Sequence, residues 1–257
     1  MKIKKVVKVM NFHSLLHVDS SRRKAEKYFK SEVELTKMID KIVYNKNLIL
    51  DKKTLKVKSN KPVLNIYIGN DYGFCGGFNS SINDTIKNDS DCYKIVIGKK
   101  IHNTDDKIIL TITKDNFFVD FNKIEKIIYE SIKSLSYSEI NIIYNHYYNA
   151  NSFAFIKKRL FPITFEKDKI NNETYNDDFV VETDVNTMVL NLVTLYICYE
   201  IRIAETNSWA AENVMRQQVT RESLKKIDEI EEEKLKEERK VKKHLNFKKI
   251  IENFIRL

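Results

Sequence analysis

A chain of 257 residues that is 42% hydrophobic can bury the core of one or two domains, and 45 Lys and Arg against 36 Asp and Glu leave a formal charge of +9. That balance suits an acidic partner (nucleic acid, an anionic membrane or an acidic protein face), and it equally suits a plain solvated surface. Cys75, Cys92 and Cys198 lack metal spacing and read as unpaired thiols of a reducing compartment, while no run approaches the ~18 apolar residues of a membrane span, so the chain reads as soluble or peripheral.

The first predicted element is a helix from Lys2 to about Asn45, without Gly or Pro. Val6, Val9, Leu15, Val18, Ala25, Tyr28, Phe29, Val33, Leu35, Met38, Ile39 and Ile42 supply its apolar stripe. Ser20 and Ser21 are candidate interruptions, and Arg22, Arg23, Lys24 and Lys27 form a basic patch. After Pro62, Val63–Ile68 reads as a buried strand, followed by a Gly-rich loop and a helix capped by Asn79, Ser80 and Ser81 that runs to about Asn88. Strands follow at Tyr93–Ile97 and Lys107–Thr113, then an amphipathic helix over Phe121–Leu135 and strands at Glu139–Tyr144 and Phe153–Phe165. Asp168–Asp178, rich in Asn and Asp, is a loop.

From Asp184 to Leu257 Gly and Pro are again absent. Apolar residues keep the helical period from Met188, Leu192, Leu195 and Tyr199, through Val214, Leu224, Ile227, Ile230, Leu235, Val241 and Leu245, to Ile250 and Phe254. At about 1.5 Å per residue such a helix is roughly 100 Å long, so it projects from any compact domain of this size. Two terminal helices with unburied stripes are natural mates. The predicted architecture is an α/β domain with a mainly parallel sheet (residues 60–168) inserted between long N- and C-terminal helices (residues 1–48 and 183–257) that form an antiparallel coiled coil. Imperfect heptads favour a loosely wound pair.

The motifs offer little chemistry. All five Gly lie between Gly69 and Gly98, and the loop Gly69–Asn79 sits where a phosphate could rest on a helix N-terminus. It is neither Gly-x-Gly-x-x-Gly nor a Walker sequence, and a tight turn needing positive φ explains its glycines more simply. Cys75 has no second Cys at redox spacing and no nearby His; His13 and His17 lie four apart, but without a carboxylate ligand, and His102, His146 and His244 are scattered. No catalytic, cofactor or metal constellation emerges, and no cofactor is expected. The run from Arg216 to Lys249 interleaves Glu231–Glu233 with Lys234, Lys236, Arg239, Lys240, Lys242 and Lys243, which marks an exposed or partner-facing shaft more than a nucleic-acid surface.

Asp71-Tyr-Gly-Phe-Cys-Gly-Gly-Phe-Asn-Ser-Ser-Ile82 resembles the Ser-Asp-x-Gly-Leu-Cys-Gly-Gly-x-Asn-x-x-Ile loop of the gamma subunits of rotary F-type ATP synthases. Ile97-Gly-Lys-Lys100, Ile143-Tyr-Asn145, Leu160-Phe-Pro-Ile163, Tyr196, and Ala204-Glu205 with Ala210 and Met215 fit further family positions in order. Leu15–Asp19 departs from the family's Ile-Thr-x-Ala-Met, and the C-terminal signature and Gly-Ala ending are absent, with Arg239 as a remnant. The resemblance implies a non-catalytic central shaft of an F-type ATPase, cytoplasmic and peripheral to the membrane through its complex. Its implied partners are the catalytic and non-catalytic subunits of a hexameric ring, an epsilon-like or membrane-side subunit at the foot, and no nucleic acid. The departures imply a specialised relative, such as the gamma-like subunits of mollicute ATPases that drive gliding. Arg22, Arg23, Lys24, Glu205, Met215, Arg239, Lys242 and Lys243 become candidate partner contacts, and Gly73, Cys75, Gly76, Gly77 and Asn79 a structural loop. A basic coiled-coil adaptor and a small-ligand α/β protein are the alternative readings.

Overall fold

The computed structural model describes residues 2–43, 60–101, 106–149, 152–163 and 184–255. His102, the Asp168–Asp178 loop and the end of the last predicted strand lie outside them. Helix α1 (Lys2–Val43) leads to strand β1 (Val63–Ile68), helix α2 (Ser80–Asn88) and strands β2 (Tyr93–Ile97) and β3 (Ile108–Ile112). Helix α3 (Phe117–Lys133), strands β4 (Glu139–Asn149) and β5 (Ser152–Phe161) and helix α4 (Val185–Ile255) complete the order.

The sheet runs β3-β2-β1-β4-β5, parallel except for β5 against β4. Strand β1 is central, and from Leu64 to Ile68 each residue is 0% exposed, as a parallel strand covered on both faces requires. Its two faces carry unequal layers. Leu64, Ile66 and Ile68 join the main core with Ile95, Ile97, Ile140 and Ile142, under α3 (Phe121, Ile124, Ile128), α4 (Val193, Ile197, Ile201) and the end of α1 (Ile39, Ile42). Among the described residues α2 covers the opposite face, setting Ile82 and Ile86 on Tyr67, Val96 and Ile143. The remainder of that face is polar and self-satisfied: Tyr67 Oη donates to Asp89 Oδ2 at 2.6 Å and Asn141 Nδ2 to Asn65 Oδ1 at 3.1 Å.

Helix α1 departs from the expected stripe. Ser20 and Ser21 do not interrupt it, and Ser21 is buried. Its seam toward α4 includes Lys4, Val7, Asn11, Ser14, Val18 and Ser21, then Ala25, Tyr28, Glu32, Leu35, Ile39 and Ile42, in alternating steps of three and four. These positions follow a 3.5-residue repeat along α1. Val6, Val9 and Leu15, counted with the stripe on apolarity, are exposed. Polar groups hold this end instead: Asn11 Nδ2 donates to Thr220 Oγ1 at 2.9 Å and to the Gln217 carbonyl at 3.1 Å, and Lys4 Nζ lies 2.6 Å from Asp228 and also pairs with Glu231. Beyond Glu231, residues 232–251 of α4 are all exposed, so Leu235, Val241, Leu245 and Ile250 have no mate on α1.

Helix α4 contains an 18-residue window of mean hydropathy 1.3, apolar enough by composition to cross a membrane, contrary to the expectation that no segment approached this. Half of that window is buried inside the protein, where Val193, Ile197 and Ile201 pack on the sheet. From Glu200 to Val214 every residue is buried except the half-buried Arg202 and Trp209. Its polar residues return their donors to their own helix: Thr206 Oγ1 to Arg202 O at 2.7 Å, Asn207 Nδ2 to Ile203 O at 2.9 Å, and Asn213 Nδ2 to Trp209 O at 2.8 Å.

Helix α3 starts at Phe117 and stops at Lys133, ahead of the expected Leu135. Leu135 takes φ +48, Ser136 N donates to Ser131 O and Leu135 N to Ile132 O, which is the paired-bond helix stop usually built with Gly. Replacing Phe121 by Ala should cost about 3–5 kcal/mol in chemical denaturation, whereas Leu235→Ala should change stability by less than about 0.5 kcal/mol.

Candidate functional site

The C-terminal edge of the parallel strands is sewn together by side chains of the Gly69–Asn79 loop. Asp71, 5% exposed, accepts from Lys99 N at 2.7 Å and Asp115 N at 3.4 Å, linking the ends of β2 and β3 to β1. Asn79 was expected to cap α2, but its side chain makes no cap bond. Its Nδ2 donates instead to Asn70 Oδ1 at 2.6 Å and Lys100 O at 3.0 Å. Positive φ, expected of the loop glycines together, is confined to Gly76 (φ +50) and, outside the loop, Gly98; Phe74 also adopts it at φ +61. Gly73 has open space where a Cβ would go, and Gly77 would meet only Ser80 Oγ at 3.0 Å.

The loop turns inward onto α4. Cys75, Phe78 and Ala211 form a small core with Tyr147, Phe153 and Met215. A Cβ on Gly76 would lie 2.8 Å from Met215 Cε, so the loop backbone rests directly on the helix. Beneath it lies an ion cluster. Glu212, its side chain fully buried, bonds Arg216 Nη2 on one side and Lys114 Nζ at 3.2 Å on the other. Lys114, from the β3–α3 turn, also reaches Ser208 Oγ at 3.4 Å and lies 5.4 Å from the Trp209 ring centroid. Arg216 Nη2 donates to Cys75 Sγ at 3.5 Å. Cys75 Sγ lies 3.3 Å from the Gly73 carbonyl. Burial raises its pKa more than the Arg216 charge lowers it, so this thiol is held protonated and is a poor nucleophile.

A hollow of about 300 Å³ beside the loop is lined by Lys100, Ser80 and Asn83 near the α2 N-terminus. The side chains of Asp71 and Asn79 are spent on tying the strand ends and the loop together. Among the described residues no group of three His, Cys, Asp or Glu could hold a metal ion.

The candidate contact residues fall into separate groups. Arg23 pairs with Asp19 at 2.8 Å, and Arg22 lies 3.7 Å from Asp19 and Glu26, so the basic patch is partly neutralised by its own helix. Lys24 Nζ sits 6.0 Å over the Phe118 ring. Arg239, Lys242 and Lys243 lie on the uncovered end of α4. Glu205, 6% exposed, and the half-buried Met215 face the interior of this chain. His13 and His17 stack at 6.4 Å, and His17 meets Trp209 edge-on at 5.7 Å. Burial, then the neighbouring His13, Arg216 and Lys24 charges, lower the His17 pKa. Lys114, Glu212 and Arg216 were missed, although Glu212 and Arg216 stand four apart in a stretch full of small residues.

The sequence matches the family model described as ATP synthase over residues 1–241. It is 25% identical over 248 residues to an ATP synthase gamma chain of Clostridium perfringens, covering 88% of this chain and 82% of the relative. It is 28% identical over 243 residues to one of Mycoplasma mobile, covering 88% and 83%. In fold it resembles a chain from the central stalk and c-ring of Tetrahymena thermophila mitochondrial ATP synthase (TM-score 0.58, 20% identity, 85% of this chain and 99% of that one). A chain of the Euglena gracilis mitochondrial ATP synthase rotor gives TM-score 0.51 at 18% identity, covering 89% and 98%.

Removing the Glu212 carboxylate leaves two buried cations without their shared counter-charge. Glu212→Ala should cost about 3–5 kcal/mol in urea denaturation. In the native protein a thiol reagent at neutral pH should modify Cys92 before Cys75, and Glu212→Ala should bring Cys75 into reach.

Proposed function

The chain belongs to the ATP synthase gamma chain family, and we propose from its geometry that it works as the rotor shaft of an F-type ATPase. It is a central-stalk subunit that couples ATP hydrolysis or synthesis in a surrounding hexamer to rotation, with no catalysis of its own. Residues 1–48 and 183–257 make the shaft and residues 60–168 the foot.

The observation that carries this reading is the end of the rod. Residues 232–251 extend α4 by about 30 Å past the last described contact with α1. Leu235, Val241, Leu245, Phe247 and Ile250 are each more than half exposed there, and Ile3, Val6, Val9, Phe12 and Leu16 are equally bare on the adjoining face of α1. So many exposed apolar residues on a thin rod, interleaved with Arg239, Lys242 and Lys243, suit a sleeve of other subunits. Closing of ring subunits on nucleotide would push an asymmetric rod and turn differential contact energy into rotation. Arg22, Arg23 and Lys24 would add ring contacts worth about 1 kcal/mol or less each, given their exposure. The complex would be cytoplasmic and peripheral to the membrane, with an epsilon-like or membrane-side subunit at the foot.

Affinity purification of the tagged chain from its own cells should recover a hexamer-sized complex that hydrolyses ATP, while the isolated chain hydrolyses none. Recovery of the chain alone, or with nucleic acid and no ATPase, would overturn the proposal. A chain truncated after Glu231 should unfold within about 1 kcal/mol of the full chain, because residues 232–251 are all exposed. It should also recover far less of the ring.

A further inference from the structure

The half of the shaft that meets the foot carries a carboxylate in its seam. Glu32, half-buried, stands one turn after Tyr28 on the face of α1 turned to α4, and Tyr28 meets Tyr199 of α4 edge-on at 6.3 Å. Its own helix offers it no cation, because the residues one turn away on either side are Tyr28, Phe29, Leu35 and Thr36. Among the described residues the Glu32 carboxylate accepts from Thr36 Oγ1 at 3.0 Å and makes no ion pair.

Across the seam lies a second carboxylate. Glu200 follows Tyr199 on α4, is 5% exposed, and takes Lys158 Nζ of β5 at 2.7 Å. The cation that acts on both acids is thus committed to Glu200. The other groups around the two acids add no charge at neutral pH. Burial raises the pKa of Tyr196 on α4 and Tyr144 on β4, and the Glu200 charge acts in the same direction, so both stay phenols. Burial, then Lys158, lower the pKa of His146 on β4, whose Nδ1 lies 3.0 Å from Tyr144 Oη. Arg202, the next cation along α4, lies over the Phe121 ring at 4.2 Å.

A junction with two carboxylates and one engaged lysine is short of one positive charge, and a proton is the smallest cation that supplies it. We propose that Glu32 is a proton-operated latch between shaft and foot: protonated, it lets α1 close on α4, and ionised, it faces Glu200 and weakens that contact. Burial raises the Glu32 pKa and Glu200 acts in the same direction, against Thr36 and Lys158. With the native value above the unfolded one, the stability due to the latch is fully present below the ordinary carboxylate range and is lost as pH climbs through the raised value. The latch belongs to the isolated chain and does not depend on the rotor reading.

Glu32→Gln keeps the shape of the protonated side chain at every pH. In thermal melts of the full chain this variant should match the parent at the acid end of the carboxylate range and melt above it at neutral pH, the gap opening in between. His146 and the remaining carboxylates titrate in both chains and cancel from that gap. A gap that is absent, constant with pH or of opposite sign overturns the proposal.

The gap should shrink in a Glu200→Gln background, where the facing charge is gone and Lys158, itself 45% exposed, is released to act on Glu32. An undiminished gap overturns the proposal. Hydrogen exchange locates the latch. With the intrinsic pH dependence of exchange removed, the α1 amides from Tyr28 to Ile39 should lose protection several-fold between acid and neutral pH in the parent and keep it in Glu32→Gln. An equal loss in both chains overturns the proposal.

Discussion

A single carboxylate ties the molecule together. Glu212 lies on α4, takes one cation from its own helix and another from the turn between β3 and α3, and sits under the loop that leaves the central strand. Sheet, loop and long helix therefore meet at one buried charge. Such a cluster contributes little net stability compared with an apolar replacement, because desolvating three ions offsets most of their attraction. Its consequence is geometric. No part of the loop or the turn can slide along α4 without exposing an unpaired ion to the interior, so the foot is fixed in rotation on the shaft.

The rest of α4 follows from being wrapped on all sides. A helix between a sheet and a partner helix has no solvated face on which to place polar residues, yet this one carries Thr206, Asn207, Ser208 and Asn213 within one short stretch. Most of them turn back onto carbonyls of their own helix, so they need no external partner. Their small size, with Ala204, Ala210 and Ala211, allows the loop at Gly76 and the α1 seam to approach closely.

The elements that could be read from the sequence were those with strong local periodicity: the buried run Val63–Ile68, the strand Tyr93–Ile97, and helices too long for any globular core. The seam of α1 was half legible. Val18, Ile39 and Ile42 show by apolarity, but Asn11, Ser14 and Ser21 occupy the same seam as polar residues, and a hydrophobic pattern passes over them. The end of α3 was missed because Leu135 takes a backbone conformation in which Gly is expected. In the loop, Cys75 and Gly76 stood out by resemblance alone, whereas Lys114 and Glu212 lie 98 positions apart and meet only once the sheet has formed. Glu205 was placed among surface contacts because a charge on a long helix ordinarily faces water; here the foot covers it.

The change in the rod at Glu231 has a mechanical side. Up to that level two helices share any sideways load, locked by a regular seam and by Lys4 against Asp228 and Glu231. Beyond it a single helix continues, braced along its own length by contacts such as Glu232 with Lys236 at 2.8 Å. A lone helix bends more easily than a locked pair of the same length. Elastic compliance is therefore concentrated in the last 30 Å or so, while the paired section and foot behave as a stiff handle. A sideways load at the tip therefore bends that section before it moves the rest.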